Sequence, residues 1–321
     1  MRLSTATIFS LAAYPVAGEF SLDPPIDCVL GDTCHIQQFV DHDPTDAASN
    51  FRCGPLTYDT HKGTDFALPS LAAKAAGIAV LAASAGEVTA LRSHLPDILQ
   101  GEPDAPDVRD VECGNGVLLR HPDGWETQYC HLAQDSITVA VGDRVEAGDT
   151  LGFVGLSGST EFPHLHISVR QNGDVVDPFD PDGEITCDQP SNDTLWSTPL
   201  DAPEGGLIAS GFATAIPDYA DVKAGTAAAP VIATDDAALV LWGYAFGTRA
   251  DDIVTLNIIG PDGEVFANDE TLDRTQAQMF RAGGRRTPDT GWSIGDYTGT
   301  VTLTRDGAVL DTQVVTIAVK P

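Results

Sequence analysis

Short runs of alternating apolar and polar residues, broken by glycine, proline and aspartate, restrict the fold of this chain more than any other feature. In the first half such runs occupy 77–81, 86–91, 116–120, 126–130, 144–145, 150–154 and 165–170. Runs of this length predict β-strands, whose side chains alternate between the two faces of a sheet. No long stretch has helical periodicity, so we expect an all-β fold.

A second series of alternating runs covers 238–246, 253–259, 276–281, 297–304 and 312–319, with turn residues at 260–263 and 305–307. Short strands at this spacing predict an immunoglobulin-like β-sandwich. Trp242 and Trp292 are of a type that can stack on sugar rings, but burial in the core is the expected role of each.

The hairpin pattern at 141–152 is typical of sandwich-barrel hybrid folds. It also occurs in lipoyl and biotinyl carrier domains, which need a lysine at an exposed turn. The nearest lysines, Lys74 and Lys223, lie far away in sequence, so we set the carrier interpretation aside. The Pro- and Asp-rich segment 93–112 is a long loop, which is either a wall or lid of a cleft or a simple mobile connection.

The 321 residues allow two domains. Residues 1–18 have one positive charge, a short apolar core and small residues near Ala17, as in a secretory signal peptide, and no other segment could span a membrane. We expect an N-terminal extension pinned by disulfides at 19–57, a first domain at 58–185, a polar linker at 186–200 and the sandwich at 201–321. The protein is thus expected to be periplasmic or secreted.

The formal net charge is −30, from 17 basic and 47 acidic residues. Such a surface repels phosphate backbones, which excludes nucleic acid as a partner, and it resists approach to anionic lipid. Solubility is the simplest explanation of the acidity.

The six cysteines predict three disulfides, because an even number in an exported chain favours pairing. No CxxC pairs support a zinc ribbon. The turn at 122–124 would fold 115–121 onto 125–131, which brings Cys113 opposite Cys130. Alternation then places Cys130 and His131 on opposite faces. Cys28–Cys34 and Cys53–Cys187 are the expected remaining pairs.

His164 and His166 are separated by one residue, so on a strand they share a face. His61 and Asp65, at positions i and i+4, can also share a face of a strand or helix. These residues supply three to four nitrogen and oxygen donors, the number needed for a tetrahedral zinc site with one open position. His131 offers a further imidazole. Four histidines without a partner motif are expected to be structural: His35, His42, His94 and His121.

The segments 61–65, 114–116, 129–132 and 163–166, in this order and with glycine-rich hairpins between them, resemble the lysostaphin and β-lytic metallopeptidase family over roughly 55–180. These are zinc enzymes that cut peptides in bacterial cell walls. The resemblance implies that His61, Asp65 and His166 bind one Zn²⁺ and that His131 and His164 are unligated catalytic histidines. Which of these two is the base stays open.

One departure follows the HxH motif, where Ile167 and Ser168 stand in place of the aromatic and acidic residues frequent in the family. It removes no ligand. We therefore expect an exported zinc endopeptidase acting on cross-links or stem peptides of peptidoglycan. The alternative is a non-catalytic cell-wall-binding regulator of another hydrolase, and a Gly-rich secreted protein is a third candidate substrate. The sandwich is a candidate for binding the wall or a protein.

Overall fold

The computed structural model describes residues 19–185, 187 and 193–321. The predicted signal peptide and part of the predicted linker lie outside these residues. Within them, strands dominate and the α-helices are short: α1 (Leu71–Ala75) and α2 (Tyr219–Ala224). The all-β prediction is therefore confirmed. In this described part of the chain, no helix has the length and apolar character needed to cross a membrane.

The first half forms a large antiparallel sheet with strand order β1-β2-β9-β6-β5-β4-β7, in which β10 also pairs with β9, and a separate two-stranded sheet of β3 and β8. The strands are β1 (His35–Gln38), β2 (Thr64–Ala67), β3 (Ala79–Leu81), β4 (Gly86–Arg92), β5 (Asn115–Arg120), β6 (Trp125–Leu132), β7 (Arg144–Val145), β8 (Thr150–Phe153), β9 (His164–Gln171) and β10 (Asp174–Val175).

Strand β9 lies in the middle of this sheet, between β2 and β6. Its residues Leu165, Ile167 and Val169 are at most 1% exposed and belong to the hydrophobic core. His164 and His166 alternate with them and so project from the opposite face. Strand β9 thereby separates an apolar layer from a polar face.

The N-terminal extension contributes to the sheet, which its irregular sequence did not predict. Strand β1 pairs with β2, and Ile36 and Phe39 are buried at 1% and 2% exposure. The disulfides Cys28–Cys34 and Cys53–Cys187 fasten the extension. With Cys113–Cys130, all three expected pairings are present.

The second half forms two sheets that pack around a common core of residues from both. One sheet has the order β11-β13-β16, and the other has the order β12-β18-β17-β14-β15. The strands are β11 (Gly206–Ala213), β12 (Ile232–Ala233), β13 (Ala238–Thr248), β14 (Ile253–Gly260), β15 (Gly263–Thr271), β16 (Gln276–Arg286), β17 (Gly295–Arg305) and β18 (Ala308–Lys320). This arrangement is a β-sandwich, and its immunoglobulin-like nature stays a prediction. Trp242 and Trp292 are buried, at 4% and 6% exposure.

The two halves pack against each other through one continuous apolar cluster. Phe39 of the first half and Trp242, Tyr244 and Phe246 of β13 all belong to it. Gln37 on β1 adds polar contacts, since its Nε2 donates to the Ala277 carbonyl at 3.0 Å and its Oε1 accepts from Gln278 Nε2 at 2.9 Å. The sandwich is therefore held at a fixed position beside the edge strand β1.

Candidate metal centre

Three ligand atoms converge at the edge of the polar face formed by β2 and β9. Asp65 lies on β2, His166 on β9, and His61 in the loop before β2, so the i, i+4 spacing is neither helical nor within one strand. His61 Nε2 is 3.1 Å from His166 Nδ1 and 3.3 Å from Asp65 Oδ1, and the last two atoms are 2.8 Å apart. Tetrahedral zinc with bonds of about 2.1 Å needs ligands roughly 3.3 Å apart. The donor set therefore fits a zinc ion.

A hydrogen-bonding contact at the other ring nitrogen orients each of the two imidazoles in this set. His61 Nδ1 lies 2.6 Å from the Phe39 carbonyl, which can only accept, so Nδ1 carries the proton and Nε2 offers its lone pair. His166 Nε2 lies 2.9 Å from Ser168 Oγ, which leaves Nδ1 facing Asp65. A Cβ at Gly63 would stand 2.6 Å from His166 Nε2, so only glycine leaves room for this ring.

The Asp65 carboxylate gives this site a negative charge. Burial alone would raise the pKa of Asp65, but His61 and the other imidazoles hold the pKa well below its usual value. Burial alone would lower the pKa of His61, but the Asp65 carboxylate outweighs it and raises this pKa. An ionised carboxylate buried among imidazoles attracts a cation.

His131 and His164 stand beside these three candidate ligands, and His164 Nε2 lies 3.7 Å from Asp65 Oδ1. Their ring centroids are 4.6 Å apart, and the His131 ring is 6.0 Å from that of His166. Their Nδ1 atoms lie 2.8 Å from the Ser157 carbonyl and 2.9 Å from the Phe162 carbonyl, so each Nδ1 is protonated and each Nε2 is a free acceptor. Burial lowers the pKa of both, which keeps both neutral near neutral pH.

A β-bulge brings His131 to this face of the sheet. The register pairs Cys130 with His166, whereas the β5–β6 register shifts so that Cys130 and His131 together oppose Gly116. His131 has a φ of +63°, which interrupts the alternation that would turn it toward the core. The expectation that Cys130 and His131 face opposite sides is therefore wrong, and the Cys113–Cys130 disulfide lies on the same face as the ligands.

The Gly-Asn-Gly sequence at 114–116 makes this bulge feasible. A Cβ at Gly116 would come within 2.3 Å of the Tyr129 carbonyl, and one at Gly114 within 2.3 Å of the Ser157 carbonyl. Asn115 Nδ2 donates to the Leu132 carbonyl at 3.2 Å, just after His131. The motif thus fixes the segment that presents His131.

Residues 59–178 match the family model described as "Peptidase family M23". This span contains all five side chains of the centre.

Residues 59–178 form an M23 peptidase domain.

Curated relatives are similar to part of the chain. The chain is 34% identical over 130 residues to the "DD-carboxypeptidase/endopeptidase Mpg" of Neisseria meningitidis serogroup B, covering 40% of this chain and 24% of that protein. It is 31% identical over 134 residues to the "Peptidoglycan DD-endopeptidase ShyA" of Vibrio cholerae, covering 40% of this chain and 26% of that protein. The chain thus spans about a quarter of the length of these relatives.

One solved structure to which the chain is similar is the catalytic domain of lysostaphin from Staphylococcus simulans. The identity is 27% over 37% of this chain and 76% of that chain, with a TM-score of 0.27.

The remaining histidines of the M23 domain and its flanks are outside the centre. His42 Nε2 contacts Asp177 at 2.8 Å, exposed His94 contacts Asp135, and buried His35 and His121 bond to neighbouring groups: Gln37 for His35, and the Ala85 carbonyl and Thr127 for His121.

Sequence reasoning missed the residues that orient the M23 centre. The carbonyls of Phe39, Ser157 and Phe162 act through the backbone, so their side chains gave no signal. Ser168 was noted only as a departure, although its hydroxyl meets His166. Its position two residues after the ligand, on the same face of β9, was the available signal.

Proposed function

We propose that this protein is an exported zinc-dependent endopeptidase that hydrolyses peptide cross-links or stem peptides of peptidoglycan. The observation that carries the proposal is the convergence of His61, Asp65 and His166 beside His131 and His164. The first three are the proposed metal ligands, and the last two are the proposed catalytic residues. The proposed domain division is 58–185 and 201–321.

Each side chain has a role that follows from its geometry. His61 Nε2, Asp65 Oδ1 and His166 Nδ1 would hold Zn²⁺ and leave one coordination position open. When bound, zinc polarises a scissile carbonyl and lowers the pKa of water to about 7. The neutral Nε2 atoms of His131 and His164 accept the proton of the attacking water and return a proton to the leaving amine.

The substrate and location rest on the relatives and on the disulfides. Two of the relatives are named as endopeptidases, one of them of peptidoglycan. Three disulfides favour an oxidising compartment, in agreement with a periplasmic or secreted protein. Peptidoglycan peptides are therefore the proposed partner of the centre.

The test combines metal analysis with digestion of purified sacculi by the full chain. We expect about one zinc per chain, release of soluble fragments, and loss of both in His61→Ala. The variant His94→Ala is the matched control, because His94 is exposed and outside the centre. Mass spectrometry of the released fragments identifies the bond that is cut.

Two results would count against the proposal. Lysis that persists in His61→Ala or after complete metal removal would exclude a zinc mechanism. A zinc-loaded protein that binds sacculi without cutting them would instead support the non-catalytic regulator.

A further inference from the structure

A cleft of about 630 Å³ opens beside the metal centre, and both halves of the chain line it. Asp65 and His164 stand on the side of the centre. Tyr219 and Lys223 of α2 and Gln276 of β16 stand on the side of the sandwich. The sandwich, to which the sequence assigned no site residue, therefore builds a wall of the candidate active site.

This wall is fixed in place by contacts on both sides of the cleft. Gln37 bonds to the Ala277 carbonyl and to Gln278, the two residues that follow Gln276 on β16. His35 packs on Phe246, with 4.4 Å between ring centroids. Because these contacts tie β16 to β1, Gln276 keeps a defined position relative to the ligands.

Lys223 is the basic side chain of this cleft. Its Nζ lies 5.2 Å from the centre of the Tyr219 ring, which is itself stacked on Phe280 at 5.4 Å. Among the described residues Lys223 forms no ion pair within 4.0 Å, although the carboxylates of Asp65 and Glu161 line the same cleft. An ammonium held over an aromatic ring without a carboxylate partner is suited to bind an anionic group.

Two glutamine side chains add hydrogen-bond acceptors to the same cleft. Gln38 Oε1 and Gln276 Oε1 are buried and meet no donor among the described residues. Gln38 is paired with Asp65 in the β1–β2 register, so it lies next to a proposed ligand. A buried acceptor without a donor costs free energy, and a peptide N–H group recovers it only if the glutamine side chain rotates toward the cleft.

We propose that this cleft binds the peptide on one side of the scissile bond and that Lys223 pairs with a free carboxylate of that peptide. The carboxylate is either the C-terminal group or a side-chain group a few residues from the cut. Gln38 and Gln276 line the wall against which this peptide lies. This inference rests on the proposed function and adds the substrate class: anionic peptides.

The test measures kcat and KM of the zinc-loaded full chain on three matched peptides. They all contain the bond that is cut in sacculi and differ only at their carboxylates: the natural acid, the form amidated at its C-terminus, and the form amidated at its side-chain carboxylate. The variants are Lys223→Gln and Lys223→Arg, with Lys320→Gln as the control for loss of one positive charge, because Lys320 is exposed at the end of β18.

For the natural acid we expect KM to rise about tenfold in Lys223→Gln, with kcat changed less than twofold. The KM values of Lys223→Arg and Lys320→Gln for the natural acid should stay within about twofold of the wild-type value. Amidation of the recognised carboxylate should raise the KM of the wild type about tenfold, as Lys223→Gln does for the acid. On this amide the wild type and Lys223→Gln should therefore have the same KM. The amide that has this effect identifies the carboxylate.

Two outcomes would overturn the inference. If Lys223→Gln raises KM equally for the acid and both amides, or leaves it unchanged, Lys223 does not bind a carboxylate, while the proposed endopeptidase stands. If the zinc-loaded wild type cuts none of the peptides or sacculi, the proposed function fails and the subsite fails with it.

Discussion

Asp65 and His166 stand directly opposite each other on the adjacent antiparallel strands β2 and β9, with Oδ1 and Nδ1 2.8 Å apart. The strand register therefore sets their separation, and no loop has to close to bring them together. Rigid strands hold ligand geometry better than loops.

Replacement of Asp65 by asparagine should weaken zinc binding by more than about 100-fold. A loss of roughly 100-fold is the upper end for removing a residue that only hydrogen-bonds to a metal ligand. The substitution keeps the shape but removes the negative charge that would offset the charge of the bound cation. Zinc affinity measured by chelator competition checks this, with Asp296→Asn as the control at an exposed position of β17. Unchanged affinity in Asp65→Asn would remove Asp65 from the ligand set.

His131→Ala and His164→Ala should each lower kcat by about 10²- to 10⁴-fold while zinc content stays near that of the wild type. The reason is that both imidazoles lie beside the ligands and offer a neutral Nε2 without being ligands themselves. Parallel measurement of kcat and bound zinc separates catalysis from metal binding. Loss of zinc in either variant would make that histidine a ligand instead.

Ser168→Ala should weaken zinc binding by about tenfold, because the hydroxyl that meets His166 Nε2 at 2.9 Å orients this ring. Ser168→Thr keeps the hydroxyl and should restore most of the affinity. Chelator competition at constant pH compares the two variants. Equal losses in both would indicate that packing, and not the hydrogen bond, matters at this position.

The folded chain should lose stability between about pH 6.5 and 4 because of His35. Burial lowers the pKa of His35 from 6.5 to about 4. Above this window the imidazole is neutral in both states, whereas within it the unfolded chain binds a proton that the folded chain does not. The free energy of unfolding should fall by about 3 kcal/mol across the window.

Urea denaturation of wild type and His35→Gln at pH 7 and pH 4.5 measures this effect. The variant should have the shallower pH dependence, while the exposed His94→Gln should match the wild type. Identical slopes for wild type and His35→Gln would contradict the assignment.

The sequence was informative wherever alternation and turn residues acted locally. The strand of His164 and His166, the β5–β6 hairpin and its Cys113–Cys130 bridge all follow from such patterns. Strand β2 did not, because its four residues, Thr64 to Ala67, are all buried and include polar groups, so no apolar–polar alternation marks it.

Two further features depend on partners distant in sequence. The turn of His131 toward the ligands depends on the bulge opposite Gly116, and its positive φ has no signature in hydrophobic periodicity. The placement of Lys223 in the same cleft as Asp65 depends on docking of the sandwich, which involves residues more than 200 positions apart, such as Gln37 and Ala277. Local patterns carry no information about such docking.

The apolar cluster that joins Phe39 to Trp242 and Phe246 ties the two halves together, so neither half can be exchanged as an independent module. A fragment that ends near residue 200 would expose the aromatic side chains that β13 covers in the full chain. A foreign targeting domain fused at this point would lack the surface that matches them. Engineering of new specificity in this chain should therefore proceed by substitution within the intact polypeptide.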